Sequence, residues 1–134
     1  MKIVTQLSIF MENKPGNLSQ FCSILEEGKI DIQGMSVIDA VDHAVIRIIV
    51  DDSNKCSHLL GDQGIVVIES QVLQIELGRQ PGELKKVAQI FTQENINIDY
   101  IYGSESEENG KASLFLKVSD PQKAFDVLKK YLSA

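Results

Sequence analysis

From Ile3 to Met11 the chain alternates, with Ile3, Thr5, Leu7, Ile9 and Met11 on one side of a predicted strand and mostly polar residues between them. Glu12-Asn13-Lys14-Pro15-Gly16 ends that strand, and the period then changes. Leu18, Phe21, Cys22 and Leu25 follow the spacing of one helix face, with Asn17 placed to cap the helix and Gly28 to close it. Two more strands, Ile30 to Ile38 and Ala44 to Val50, flank a polar turn at Asp39 to His43. Ser53 to Leu60 reads as a weaker helix, and Gly61-Asp62-Gln63-Gly64 leads into a fourth strand, Ile65 to Ile68.

The pattern is then written a second time. Leu73-Gln74-Ile75, Gln80-Pro81-Gly82-Glu83-Leu84 and Ile96-Asn97-Ile98 repeat Leu7-Ser8-Ile9, Lys14-Pro15-Gly16-Asn17-Leu18 and Ile30-Asp31-Ile32 at a constant offset of 66 residues. The helix face returns as Leu84, Val87, Ala88 and Phe91, and Cys22, whose counterpart is Ala88, is expected to pack as a small apolar residue. Ile96 to Gly103 and Lys111 to Val118 form the second hairpin around a longer turn, Ser104 to Gly110, after which the offset is 68. Asp120-Pro121 opens a last helix with the apolar face Ala124, Phe125, Leu128 and Leu132. The predicted modules are therefore residues 1–70 and 71–134. Only Glu69-Ser70-Gln71 separates the fourth strand from the next, Val72 to Leu77, so the modules are expected to be rigidly coupled.

The order βαββαβ is the ferredoxin-like plan, an antiparallel sheet with helices on one face, and it makes the chain an α+β protein of two tandem modules. Only Ser133-Ala134 follow the last helix, so the second module lacks its last strand. Its open edge is expected to be covered by the other module or by a second chain, giving an obligate dimer. The plan serves many functions, and only the residues discriminate among them.

A formal charge of −6, with neither half basic, argues against nucleic acid or an anionic membrane as partner. The strand Ala44 to Val50 also lacks the aromatic residues of an RNA-binding sheet. The opening Met-Lys-Ile-Val-Thr-Gln has no apolar stretch of signal-peptide length and no later run could span a bilayer, so a cytoplasmic location is expected. Two cysteines, with no close Cys or His pair, give neither a disulfide framework nor a metal site, and no cofactor is implied. His43 and His58 read as surface residues, Arg47 as a sheet-surface charge, Tyr100 and Tyr102 as interface packing, and Glu105-Ser106-Glu107-Glu108 as a solvated turn. No nucleophile beside a base, facing carboxylates or metal cluster marks an enzyme.

What remains is the Pro-Gly loop between strand and helix. Its glycine lets a ligand approach the main chain, and the helix start behind it offers unpaired N–H groups to a carboxylate. Asn13-Lys14-Pro15-Gly16-Asn17-Leu18 with Gly28-Lys29-Ile30-Asp31-Ile32, and Arg79-Gln80-Pro81-Gly82-Glu83-Leu84 with Glu94-Asn95-Ile96-Asn97-Ile98-Asp99-Tyr100-Ile101-Tyr102, resemble a tandem ACT-domain protein over essentially the whole chain.

The resemblance implies a non-catalytic regulatory protein that binds an amino acid or related small metabolite at interfaces between paired domains, as a homodimer, with a regulated enzyme as a further candidate partner. It implies binding by Asn13, Pro15, Gly16, Asn17 and Leu18 with Asp31 and Ile32, and by Gln80, Pro81, Gly82, Glu83 and Leu84 with Asn97 and Ile98. Asp31 stands where the family tends to carry Asn, and Glu83 puts a negative charge beside the second loop, so the first loop is expected to bind better. Two other readings stay open. One is a dimerisation or docking subunit that regulates a partner enzyme without a ligand; the other, resting on Arg79, is an acylphosphatase-like hydrolase.

Overall fold

The structure is a computed structural model, described here for residues 1–105 and 110–132. The element order is β1 (Lys2–Glu12), α1 (Asn17–Glu27), β2 (Ile32–Ala40), β3 (His43–Val50), α2 (Ser53–Asp62), β4 (Val67–Gly78), α3 (Glu83–Gln93), β5 (Ile98–Glu105), β6 (Lys111–Val118) and α4 (Pro121–Leu132). The ferredoxin-like plan is met twice. The polar run Glu105 to Glu108 lies largely outside the described residues.

The chain divides into two compact units, an N-terminal one of Thr5–Ser70 and a C-terminal one of Gln71–Ala134 together with Met1–Val4. In the N-terminal unit β1 pairs antiparallel with β3, Leu7 opposite Ile48, and β3 with β2, Val37 opposite Ile46. In the C-terminal unit β4 pairs with β6, Leu73 opposite Leu116, and β6 with β5, Gly103 opposite Leu114. Among the described residues no strand follows α4. The place beside β4 goes to the start of β1, because β1 and β4 are neighbours and Lys2–Val4 belong to the C-terminal unit. Ile3 accordingly packs against that unit's core, while Val67, at the start of β4, packs against the other.

The strands expected at Ile65–Ile68 and Val72–Leu77 are a single strand, β4. Glu69-Ser70-Gln71 contains neither Gly nor Pro and so has nothing to break the extended backbone; it lies mid-strand.

The two cores are built from matching positions. Leu7, Ile9, Phe21, Leu25, Ile48 and Val50 in one are Leu73, Ile75, Val87, Phe91, Leu116 and Val118 in the other, all buried. The small residue between the helices is Cys56, matched by Ala124, both fully buried. Cys22 does not take that role: it lies on the solvent side of α1, where only Phe21 and Leu25 are buried, and Leu18 is also exposed. The apolar face is thus narrower than its spacing suggests, because a single sheet covers the helix from one side.

The helix ends also differ from expectation. Gly28 does not take the left-handed turn after α1; Lys29 does, at φ 55°, as Asn95 does after α3. A Cβ at Gly28 would meet the end of the Leu59 side chain, which would have to shift. At the other end of the chain Asp120 caps α4 as expected, its Oδ1 accepting the Lys123 N–H at 3.1 Å.

Two outcomes follow from this packing. Ile3→Asp is expected to weaken hydrogen-exchange protection in β4 and β6 more than in β3, because it puts a charge against the C-terminal core. A thiol reagent at pH 8 is expected to modify Cys22 rapidly and Cys56 only on unfolding, since burial and the charges of Asp51 and Asp52 raise the Cys56 thiol to about 11.

Candidate functional site

The two Pro-Gly loops share one backbone. Gly16 (φ 91°, ψ −19°) and Gly82 (φ 95°, ψ −8°) are left-handed and stand directly before α1 and α3. An L side chain there would crowd its own backbone, which is why each loop needs glycine. The ladders start at Gln20 N–H to Gly16 O, 3.0 Å, and Lys86 N–H to Gly82 O, 3.1 Å. Neither glycine can cap a helix with a side chain; the Asn17 and Glu83 N–H groups donate to the Lys14 and Gln80 carbonyls at 3.3 and 3.4 Å, and no side chain caps the N–H groups that follow. Asn17, expected as the cap, is instead the first helical residue.

From that position its side chain turns back. Asn17 Nδ2 donates to the Glu12 carbonyl at 2.6 Å, tying the helix start to the end of β1. Glu83, the matching residue, closes the second loop with the opposite polarity: its Oε2 accepts the Gly78 N–H at 3.1 Å. A carboxylate in the first turn of α3 also sits at the favourable end of the helix dipole. The sequence expectation treated Glu83 as a charge aimed at a ligand, whereas one of its oxygens is committed to its own main chain.

The rims differ as well. In the first loop Lys14 Nζ lies 2.6 Å from Glu12 Oε2. This exposed pair holds the Glu12 carboxyl below its ordinary range and the Lys14 ammonium above its own, in each case through the hydrogen bond and then the charge of the other. Asn13 Nδ2 donates to Asp39 Oδ1 at 3.0 Å and fastens the loop to β2. Gly78, Arg79 and Gln80 occupy the matching positions of the second loop, which therefore has no Glu12–Lys14 counterpart.

Each loop borders a cavity within its own unit. The first, of about 140 Å³, is lined by Asn13, Asn17 and Leu18 from the expected set, with Met11, Glu12 and Lys14, and closed by Val37, Ala44 and Ile46. The second, of about 350 Å³, is lined by Gln80, Gly82, Glu83 and Leu84, with Leu77, Gly78, Arg79 and Lys85, over Ala112 and Leu114. Ala44 and Ala112, like Ile46 and Leu114, are the same positions of the repeat. These wall residues on β3 and β6 were not in the expected set. The signal was present in the repeat as a small residue kept at the strand end nearest the loop.

Pro15, Gly16 and Pro81 shape the turns without lining the cavities. Asp31, Ile32, Asn97 and Ile98 are elsewhere. Ile32 pairs with Val50 and Ile98 with Val118, whereas the loop end of the sheet is where Ala40 pairs with His43. The Asp31 N–H donates to Asp51 Oδ1 at 3.0 Å and the Asn97 N–H to Ser119 Oγ at 3.1 Å. Within a unit, then, the expected residues form two clusters at opposite ends of the sheet.

The remaining candidates are accounted for more simply. His43 and His58 are exposed, and among the described residues no group of three or more His, Cys, Asp or Glu side chains is arranged to hold a metal. Tyr100 and Tyr102 stack at 6.4 Å, and Tyr102 lies 5.4 Å from Phe115, which it helps to bury. Among the described residues no helix is long and apolar enough to cross a membrane.

The family model of an ACT domain pair matches residues 1–133. Among solved structures, protein BT0572 from Bacteroides thetaiotaomicron is similar at a TM-score of 0.90 and 30% identity, over 96% of this chain and 88% of that one. Two others share the fold. Aspartokinase alpha and beta subunits give a TM-score of 0.63 at 20% identity, covering 100% of this chain and 99% of that one. The regulatory subunit of aspartate kinase from Thermus thermophilus gives 0.68 at 15% identity, covering 96% and 94%. A comparison with curated proteins gives no match. The twice-used loop, the ferredoxin-like units and the family match agree, and the chain belongs to the family of ACT domain pairs.

Proposed function

We propose that this chain is a non-catalytic regulatory protein of the cytoplasm that binds an amino acid or related small metabolite at its strand-to-helix loops and works as a homodimer. The observation that carries this reading is the pair of cavities lined from matching positions of the two loops. N–H groups without a side-chain cap at the helix starts suit a carboxylate, and side-chain oxygens suit an ammonium group.

The split of expected residues supports pairing of whole chains. Asp31 and Ile32 stand at the far end of β2 from the loop of their own unit, about 25 Å along the strand at 3.3 Å per residue. A site that uses both clusters therefore has to be completed by another unit. The edge strand β2 and the turn after it offer apolar surface for such pairing, with Ile38 46% and Val41 90% exposed. The same surface favours the second reading, a docking subunit that regulates a partner enzyme without a ligand.

A thermal-shift screen against the twenty common amino acids tests the reading. A binder at about 100 times its dissociation constant adds about 2.7 kcal/mol, and a raised midpoint with at least one amino acid is the expected result. Unchanged midpoints for all twenty would transfer the assignment to the docking subunit. Light scattering at micromolar concentration is expected to give the mass of two chains, and a monodisperse single chain would remove the homodimer.

A further inference from the structure

We infer that the two loops have different ligand capacities: the C-terminal unit holds the amino-acid site, which takes an apolar side chain of about leucine size, while the N-terminal cavity is narrowed by the protein's own side chains below the size such a ligand needs. The inference rests on the binding reading above and adds which loop binds and what it selects.

The two cavities have matching walls but not matching volumes, about 350 Å³ against about 140 Å³. Ligand pockets run from about 300 Å³ upward, so the second is large enough and the first is not. Two substitutions within the repeat account for the difference. Val37, on β2, closes the first cavity opposite Ile46; its counterpart on β5 is Gly103, opposite Leu114. A Cβ at Gly103 would collide with Leu114 Cδ2, so the Leu114 side chain leans into the space the glycine leaves and the wall over Ala112 recedes. Glu12, held across the rim of the first cavity by Lys14, is matched by Gly78, which adds no side chain to the second.

The lining of the larger cavity fits an amino acid with an apolar side chain. Leu77, Leu84, Ala112 and Leu114 give an apolar floor, and Arg79 and Lys85 bring positive charge to the rim for an α-carboxylate. Glu83, whose Oε2 is bonded to the Gly78 N–H, brings a carboxylate to the lining that can accept from an α-ammonium group. The order expected from sequence, with the first loop the better binder, is thereby reversed. Glu83 serves as the ammonium acceptor and as a clasp on its own loop, and does not stand against the carboxylate.

The test uses L-leucine and glycine as probes in calorimetric titrations of the full chain. Ala112→Leu fills the second cavity from its floor, and Val37→Phe adds bulk to the first. The expected result is binding of L-leucine by the unmodified chain at one site per chain and at least tenfold more tightly than glycine, a tenfold or greater loss in Ala112→Leu, and a change of less than twofold in Val37→Phe. The milder Ala112→Val, with the ligand-free unfolding midpoint of each variant, separates loss of the site from loss of the fold. Binding that survives Ala112→Leu and fails in Val37→Phe, or a preference for glycine, overturns this inference while leaving an amino-acid binder. Silence toward all twenty amino acids removes the binding reading and this inference with it.

Discussion

Everything in this structure depends on how the C-terminal unit finishes its sheet. After α4 it has no described strand to place beside β4, and an uncovered β4 would leave a row of backbone groups unpaired and one flank of the core open to water. Lys2–Val4 occupy that place, and Ile3 joins the core formed by Leu73, Ile75, Val87 and Leu116. Residues far apart in the sequence, Lys2–Val4 and those from Gln71 onward, therefore share one unit. Such a contact links distant parts of the sequence, and the loop that must close to form it carries an entropic cost.

On that frame the repeat does two different things. In the cores it preserves volume: Cys56 answers Ala124, and the aromatic side chain moves between helix positions, Phe21 against Val87 and Leu25 against Phe91, so both cores stay filled. At the loops it preserves the backbone and changes the side chains. Both glycines are left-handed, yet Asn17 donates where Glu83 accepts, and Glu12 and Val37 give way to Gly78 and Gly103. Duplication supplies two copies of a turn that leaves N–H groups open. What each copy can hold is decided by the few side chains around it.

For a regulatory domain pair this asymmetry has a use. A ligand moves an equilibrium only by its differential affinity for the competing states. The cavity beside the second loop is larger than the one beside the first, so a ligand that needs the larger space would act on one unit alone. The match to the family of ACT domain pairs supports a regulatory role for the chain.

Much of this was legible in the sequence because it is set by short-range physics. Alternation at Ile3–Met11, the helical spacing through Phe21 and Leu25, the Pro-Gly turns and the Asp120-Pro121 start fix the order of elements, since period and turn chemistry depend on neighbouring residues alone. The constant offset likewise marks the loops as the shared feature. Tertiary structure decided what periodicity cannot contain. It exposed Cys22 and buried Cys56, because a helix resting on one sheet hides only a narrow stripe. It fused two expected strands into β4 and put the left-handed turn one residue after Gly28, at Lys29, as at Asn95 after Glu94 in the second copy. It turned Glu83 onto the Gly78 N–H and enlarged the cavity over Ala112, because side-chain direction and free volume are set by residues that meet only across the folded sheet.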